Sequence, residues 1–459
     1  ALRISSSQKV GIGSTQPTYA LEVNGGTQNT VIAAHSSDAK AAISFLDNTS
    51  GGYGRATIGG EGDEVYITSG AGVERLRITS GGNATFTGIV TATEFVPTVS
   101  RLSHRNLIIN GDMRIAQRGT SSTSDGYHSV DRFAMKYGGE DEAPTQAQVD
   151  ITSNDPGPYA EGFSKAFRIT NGNQTGGADA GDYMYLSHKI EAQNLRNSGW
   201  YYVSASSFVT LSFWVKSTVA QTFYGYLRTF DGTAQLIRFE TGSLSADTWK
   251  KVVVKIPGAA NIQFDDNNGA GLELVIATWF GTTYTAQSGD TPLGSWAAFA
   301  SGTRMRDMTS TWYTTNNAQF EITGIQLEPG TQATPFEFKS FAEEKRLCDR
   351  YYQKIKNTSS GKPFGVGNID GATQAQIHVP LPVEMREAPS SMELANNSTD
   401  FQMRVRTSVT CTGHNFFGAG SHNVFLEIQV STGHGFTDGH AAFAINNGAN
   451  LFIAFSAEL

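Results

Sequence analysis

Trp279, Tyr284, Trp296, Trp312 and Tyr313 are the residues of this chain with the most chemistry to offer. A sugar needs a flat aromatic face to stack against its C–H surface and polar groups to grip its hydroxyls. These five rings fall in or beside the long loops that follow an alternating apolar stretch at 272–280, and as a group they form the candidate carbohydrate-binding site. Trp200, Tyr201 and Tyr202 precede another long alternating stretch. Trp214 and Trp249 fall on polar-alternating positions of their own stretches, which is unusual for a core. The competing expectation for each ring is burial, inside a sandwich or at a chain–chain contact.

Catalytic groups are harder to find. Gly-x-Ser-x-Gly, His-Glu-x-x-His and the phosphate-binding loop are all absent from the sequence. Glu140-Asp141-Glu142 reads as a solvated acidic loop. Cleaving a polysaccharide takes two carboxylates across a groove, and such a pair can be assembled from different chains. His414, His422, His434 and His440 match no zinc spacing. They read as solvated loop histidines, the alternative being one histidine per chain meeting on a symmetry axis.

The elements that must carry these residues are β-strands of two kinds. Residues 1–100 read as short apolar pairs between glycines and small polar residues: Val10-Gly11-Ile12, Leu21-Glu22-Val23, Ile43-Ser44-Phe45, Val65-Tyr66-Ile67 and Leu76-Arg77-Ile78. Leu2-Arg3-Ile4-Ser5 returns as Leu76-Arg77-Ile78-Thr79. Each fragment is too short to bury much alone, so the missing core must come from the next repeat or another chain. An elongated, multi-chain shaft is expected. Because the chain opens inside the repeated phrase, it is expected to be a fragment or a processed product.

Residues 101–339 have longer strands and denser aromatics. Val209, Leu211, Phe213 and Val215 alternate with Thr210, Ser212, Trp214 and Lys216. Val252, Val254 and Ile256 form a second row, and Leu272, Leu274, Ile276, Thr278 and Phe280 a third. Asp231-Gly232, Asn268-Gly269 and Gly289-Asp290 read as turns, and Gly324 as a bulge. This is the pattern of a two-sheet β-sandwich. The pattern switches at 338–356, and residues 340–459 open with a helix in which Ser340 and Glu343 have capping-box spacing and Phe341, Cys348 and Ile355 form one stripe. That stripe would lie on the sandwich or make a short coiled contact around a symmetry axis. Strands at 376–379, 403–409, 424–430 and 451–455 follow.

The bulk numbers agree with an ordered β protein. Of 459 residues 50 are glycine, with no collagen triplet, and 17% are charged. A net charge of −8 without basic runs disfavours nucleic acid, and no run of 18 apolar residues is available to span a membrane. Cys348 and Cys411 exclude a disulfide scaffold by number and fit assembly in a reducing cytoplasm.

Two resemblances emerge. Lys9-Val10-Gly11-Ile12-Gly13, Tyr19-Ala20-Leu21-Glu22-Val23-Asn24-Gly25 and Leu76-Arg77-Ile78-Thr79-Ser80-Gly81-Gly82-Asn83 resemble repeat segments of tail fibres and related adhesins of tailed bacteriophages, including phages of marine bacteria. Four blocks, 106–113, 209–217, 249–254 and 320–330, resemble jelly-roll carbohydrate-binding modules of phage fibres and glycoside hydrolases. Val383-Glu384-Met385-Arg386-Glu387-Ala388-Pro389 is similar to terminal regions of phage fibres. The resemblance to the modules implies a structural calcium, with Asp112 and Glu328 at the matching first and last strands, although the module family more often has Asp at the latter. Asp265-Asp266-Asn267-Asn268-Gly269 is a second acidic loop, for which a self-capped turn is the alternative.

Together these imply an all-β homotrimer: a β-repeat shaft (1–100), a jelly-roll carbohydrate-binding-like domain (101–339), and a helix with a β tip (340–459). The fibre resemblance further implies location in the virion after assembly in the host cytoplasm. Its partners would be host cell-surface polysaccharide or lipopolysaccharide and other phage tail or baseplate proteins. Its action would be binding without turnover, with the jelly roll as sugar binder or as a rigid spacer behind recognising C-terminal loops. The alternatives are a virion-associated polysaccharide depolymerase and a bacterial surface adhesin.

Overall fold

The computed structural model describes residues 2–6, 8, 10–12, 21–23, 34, 36–45, 56–70, 72–88, 90, 104–285 and 292–459. The predicted turn at Gly289-Asp290 and the predicted boundary at 97–103 lie outside the described residues. The fold is all-β, and the chain divides into two compact units, Ala1–Val96 and Pro97–Leu459.

The first unit holds two small sheets. Leu2–Ile4 pairs antiparallel with Val10–Ile12, which pairs in parallel with Leu21–Val23. The second sheet is a five-stranded antiparallel meander of Lys40–Ser44, Thr57–Glu61, Glu64–Ser69, Val73–Ile78 and Ala84–Phe86. Period-two alternation gives this meander two unlike faces. One carries Tyr66 and the Arg77 guanidinium, which binds Glu61 (3.0 Å), Glu64 (2.5 Å) and Glu74 (2.6 Å). On the other, Ile43, Ile58, Ile67, Leu76 and Phe86 stand opposite one another in an unbroken cross-strand row. In that row Ile43, Ile58 and Phe86 are exposed and Ile67 and Leu76 half-buried, and Val65, Val73 and Ile78 on the same sheet are exposed as well.

The second unit begins with a jelly-roll-type sandwich of two six-stranded antiparallel sheets. One runs Ala134–Gly138, Tyr183–Glu191, Ala270–Phe280, Thr222–Thr229, Gln235–Ser243, Trp296–Ala298. The other runs Lys250–Pro257, Phe208–Ser217, Gln319–Pro329, Lys165–Thr170, Thr145–Asp150, Ser121–Ser122. The alternation read at 209–215 is real: Val209, Leu211, Phe213 and Val215 all point into the core. The predicted bulge is there too. The pairing of Phe208–Ser217 with Gln319–Pro329 shifts register beside Gly324, whose φ of +64° a Cβ would strain, and that Cβ would lie 2.6 Å from the Phe163 ring. Trp214 and Trp249 lie on the sandwich's outer face in a small satellite cluster with Ile151 and Ala166. Their indole N–H groups donate to Glu161 (3.1 Å) and Asp155 (2.9 Å), which explains aromatic rings at polar-alternating positions.

The helix is shorter than the sequence predicts. Ser340 caps it, its hydroxyl accepting from Glu343 N at 3.2 Å, but it spans only Phe341–Asp349. Phe341 is exposed, Cys348 is buried, and Ile355 lies on the next strand, Tyr352–Asn357, so the single helical stripe does not exist. The cause is the pair Tyr351-Tyr352, drawn into a joint between sandwich and tip. Tyr351 packs under the Arg132 guanidinium (3.5 Å) and Tyr352 under that of Arg118 (3.6 Å). Both arginines pair with Glu458, and Lys189 Nζ donates to Leu459 O at 3.1 Å.

The tip itself is a seven-stranded antiparallel sheet with Ala441–Asn446, Pro363–Ile369 and Gln374–Pro380 at its centre, accompanied by a three-stranded sheet. It closes over its own core. The single strand expected at 403–409 is a hairpin, Phe401–Arg404 with Ser408–Thr410, turning at 405–407.

The joint buries an acid. Burial pushes the Asp131 carboxyl up to about 6, against hydrogen bonds from Gln117 N and Nε2 (both 2.8 Å) that favour its ionised form. The folded chain then holds this proton more tightly than the unfolded one. Its contribution to stability is full below about pH 4 and declines as pH rises through about 6, by up to about 3 kcal/mol. Urea midpoints measured across that window are expected to fall with rising pH, and Asp131→Asn is expected to flatten the fall.

Candidate functional site

The aromatic set does not form an open platform. Trp279, Trp312 and Tyr313 lie inside the sandwich, Tyr313 stacked on Trp279 at 5.5 Å and Trp312 edge-on to Phe223. The short helix Thr311–Thr314 folds back to place the last two there, and Trp312 Nε1 donates to Gln319 O at 3.1 Å. Tyr284 is half-buried against Tyr183 and Phe280. Trp296, also half-buried, donates its indole N–H to Pro257 O at 2.7 Å. The expectation of a sugar platform at these five residues is therefore corrected for Trp279, Trp312 and Tyr313, which are buried and have no free face to stack on a ligand, while Tyr284 and Trp296 keep part of their surface in solvent.

The expected calcium ligands are not brought together either. Gly111 O accepts from Ile325 N and Leu327 O from Leu107 N. Asp112 and Glu328 thus lie beyond opposite ends of that pairing. Both Glu328 oxygens are taken, by Thr334 N (2.8 Å), Thr334 Oγ1 (2.7 Å) and Gln326 Nε2 (2.9 Å), with Arg105 at 3.3 Å. Asp112 receives Arg114 Nε on one oxygen and keeps the other buried without a partner. These two residues do not fit a shared ion, and no cluster of three or more metal-ligating His, Cys, Asp or Glu occurs among the described residues. The 265–269 loop is the self-capped turn, Asn267 Oδ1 accepting from Gly269 N at 2.8 Å.

The structure opens a different site, in a place no motif marks. The five-residue helix Ala192–Arg196 is held to the 267–269 loop by Ala192 N to Gly269 O (2.9 Å) and Gln193 N to Asn267 O (3.0 Å). Between them, Leu347 of the Phe341–Asp349 helix and the 384–386 segment lies a cavity of about 580 Å³. A second cavity of about 240 Å³ shares Ile109, Asn194 and Leu347 with it and continues past Asn106 and Lys339. The wall is rich in amides: Gln193, Asn194, Asn267 and Asn268.

This lining is rigidly organised. Arg386 Nη1 donates to Asn268 O (3.2 Å), and Asn268 Nδ2 donates back to Arg386 O. Arg350 grips the buried Glu191 with two bonds of 2.7 and 2.9 Å, and Tyr351 OH adds a third at 2.6 Å. Burial alone would raise the Glu191 carboxyl, but these donors outweigh it and hold it below the usual value. A carboxylate so clamped does not serve as a general acid. Amide donors and acceptors over an apolar floor of Ile109 and Leu347, with Glu384, Arg350 and Arg386 at the same wall, suit the recognition of hydroxyls. Sequence reading missed this cleft because its residues span positions 104 to 386; the only local trace is the Asn-rich 265–269 loop.

No protein-family model and no curated protein matches the chain. Among solved structures, the enzymatically active domain of tailspike protein 4 from bacteriophage CBA120 is 12% identical, over 49% of this chain and 21% of that one, with a TM-score of 0.26. A putative sugar-binding protein from Bacteroides thetaiotaomicron is 12% identical, over 49% of this chain and 99% of that one (TM-score 0.25). A family 11 carbohydrate-binding module from Clostridium thermocellum, solved with a β-1,3-1,4-mixed-linked tetrasaccharide, is 10% identical, over 47% of this chain and 98% of that one (TM-score 0.22). The chain thus spans about a fifth of the tailspike domain.

Proposed function

We propose that this chain is a subunit of a homotrimeric tail fibre of a tailed bacteriophage, assembled in the host cytoplasm and carried on the virion beside other tail or baseplate proteins. Its role is to bind host cell-surface polysaccharide or lipopolysaccharide without turning it over. The observation that supports this most is the apolar cross-strand row Ile43–Ile58–Ile67–Leu76–Phe86, with Ile43, Ile58 and Phe86 exposed. Taking such a side chain from full exposure to full burial is worth roughly 1.5–3 kcal/mol, and the half-exposed Ile43, Ile58 and Phe86 would gain part of that. A second and third copy of the same sheet would cover the row, while the face with the Arg77 ion cluster stays in water. The amide-lined cleft gives each copy a weak sugar site, and three copies turn weak contacts into avidity.

Native mass measurement tests the assembly. Three times the 49.3 kDa chain mass, about 148 kDa, is expected, and Ile58→Glu is expected to reduce it to a single chain while leaving the sandwich folded. A wild-type mass of one chain would overturn the fibre reading. A glycan array tests the binding: Asn194→Trp, which fills the cleft, is expected to lower affinity at least tenfold. Steady release of reducing sugar from a bound polysaccharide would replace the binding role with depolymerisation.

A further inference from the structure

The tip carries a further cavity of different character. The hairpin turn at 405–407 and the loop at 434–440 enclose about 380 Å³. The two segments meet because the strand following the loop, Ala441–Asn446, pairs with the hairpin's first strand, Phe401–Arg404, bringing Phe443 opposite Arg404. Arg406, Thr407, His434, Phe436, Thr437 and His440 line the space. Arg406 is exposed and makes no ion pair among the described residues, and the same holds for Arg404 at the foot of the hairpin. The loop's own acid, Asp438, does not line the cavity. His434 Nε2 meets Ser431 Oγ at 3.1 Å, and the His434 ring lies beside that of Phe436, centroids 5.9 Å apart. Phe436 packs on the tip core, so the apolar wall is anchored.

We propose that this cavity binds a carboxylated saccharide such as a uronic acid residue. A guanidinium is the group that takes a carboxylate through two parallel hydrogen bonds. Two threonine hydroxyls and two imidazoles supply donors and acceptors for ring hydroxyls, and Phe436 offers an apolar face to the sugar's C–H surface. A neutral sugar would leave Arg406 without a counter-charge, and free phosphate would leave the Phe436 wall uncovered. The chain as a whole carries −8 and repels polyanions at long range. An acidic ligand is therefore held only where a cation is local, and this cavity provides one.

The proposal stands apart from the amide-lined cleft and is tested separately. Calorimetry on the full chain with tri-galacturonate, with an uncharged galactose trimer and with dextran sulfate is the measurement. Tri-galacturonate is expected to bind at least tenfold more tightly than the neutral trimer. Arg406→Ala is expected to remove that preference, and Lys255→Ala, which removes an exposed cation on the sandwich, to leave it intact. Circular dichroism spectra of both variants are expected to match wild type, since Arg406 and Lys255 are surface residues. Equal affinity of wild type and Arg406→Ala for tri-galacturonate, no preference over the neutral trimer, or equally tight binding of dextran sulfate would each overturn the assignment.

Discussion

Truncating Trp312 to alanine is expected to destabilise the sandwich by about 3–5 kcal/mol and to leave the glycan affinity of the folded protein unchanged. The indole is fully buried, edge-on to Phe223 and hydrogen-bonded to Gln319 O. Its backbone N–H is held by Gln221 Oε1 at 3.0 Å, so the Thr311–Thr314 turn stays in place when the ring is removed. The hole therefore collapses only partly, and the cost includes a cavity term as well as lost burial. For a unit of this size the melting temperature should drop by roughly 6–20 °C. Thermal unfolding followed by near-ultraviolet circular dichroism reads the first effect, and titration with an array-identified glycan below the melting range reads the second. A surface sugar platform would behave in the opposite way: stability within about 0.5 kcal/mol of wild type and binding lost.

That contrast shows where sequence reasoning holds and where it stops. Alternation over 209–215 and 272–280 is written in consecutive residues, and the structure buries the inward-facing members as expected. The apolar pairs of the first hundred residues are likewise strands, including both copies of the Leu-Arg-Ile phrase. The start of the helix is legible because a cap is a local device: Ser340 needs only the N–H three residues on. Its end is not, because what stops it after Asp349 is remote, namely Arg118, Arg132 and Glu191 waiting for two tyrosines. The same limit moved the binding site. Composition says that the 281–318 region is loop and aromatic, but cannot say that Thr311–Thr314 turns inward and plugs the sandwich. The cleft draws Ile109, Asn194, Asn268, Leu347 and Arg386 from five separate segments, each ordinary in its own surroundings. The misplaced calcium pair has a related cause. Matching first and last strands by order says nothing of register, and the register sets Asp112 and Glu328 at opposite ends of one pairing.

The joint between sandwich and tip should be the most sensitive place to remove a single charge. Arg132 has a fully buried guanidinium that donates to Glu458 and to Lys189 O (2.7 Å) and lies 3.5 Å above the Tyr351 ring. Burial would discourage its charge, but Glu458 outweighs burial and raises its pKa. Glu458 also takes Arg118 at 3.2 Å, so one carboxylate balances two cations that have left water. Replacing one partner of such a group leaves an uncompensated buried charge, typically costing about 3–5 kcal/mol. Glu458→Gln should lie at the upper end of that range because it strands both arginines. Arg118→Gln should cost less, since Glu458 keeps Arg132. Combining Arg132→Met with Glu458→Gln should restore part of the loss, a coupling that a double-mutant cycle in urea isolates. The single variants should also free the tip before the sandwich unfolds. Limited proteolysis would then cut near 350–357 at urea concentrations where the wild-type chain stays intact, and additive losses without a coupling term would show that the pair does not hold the two cores together.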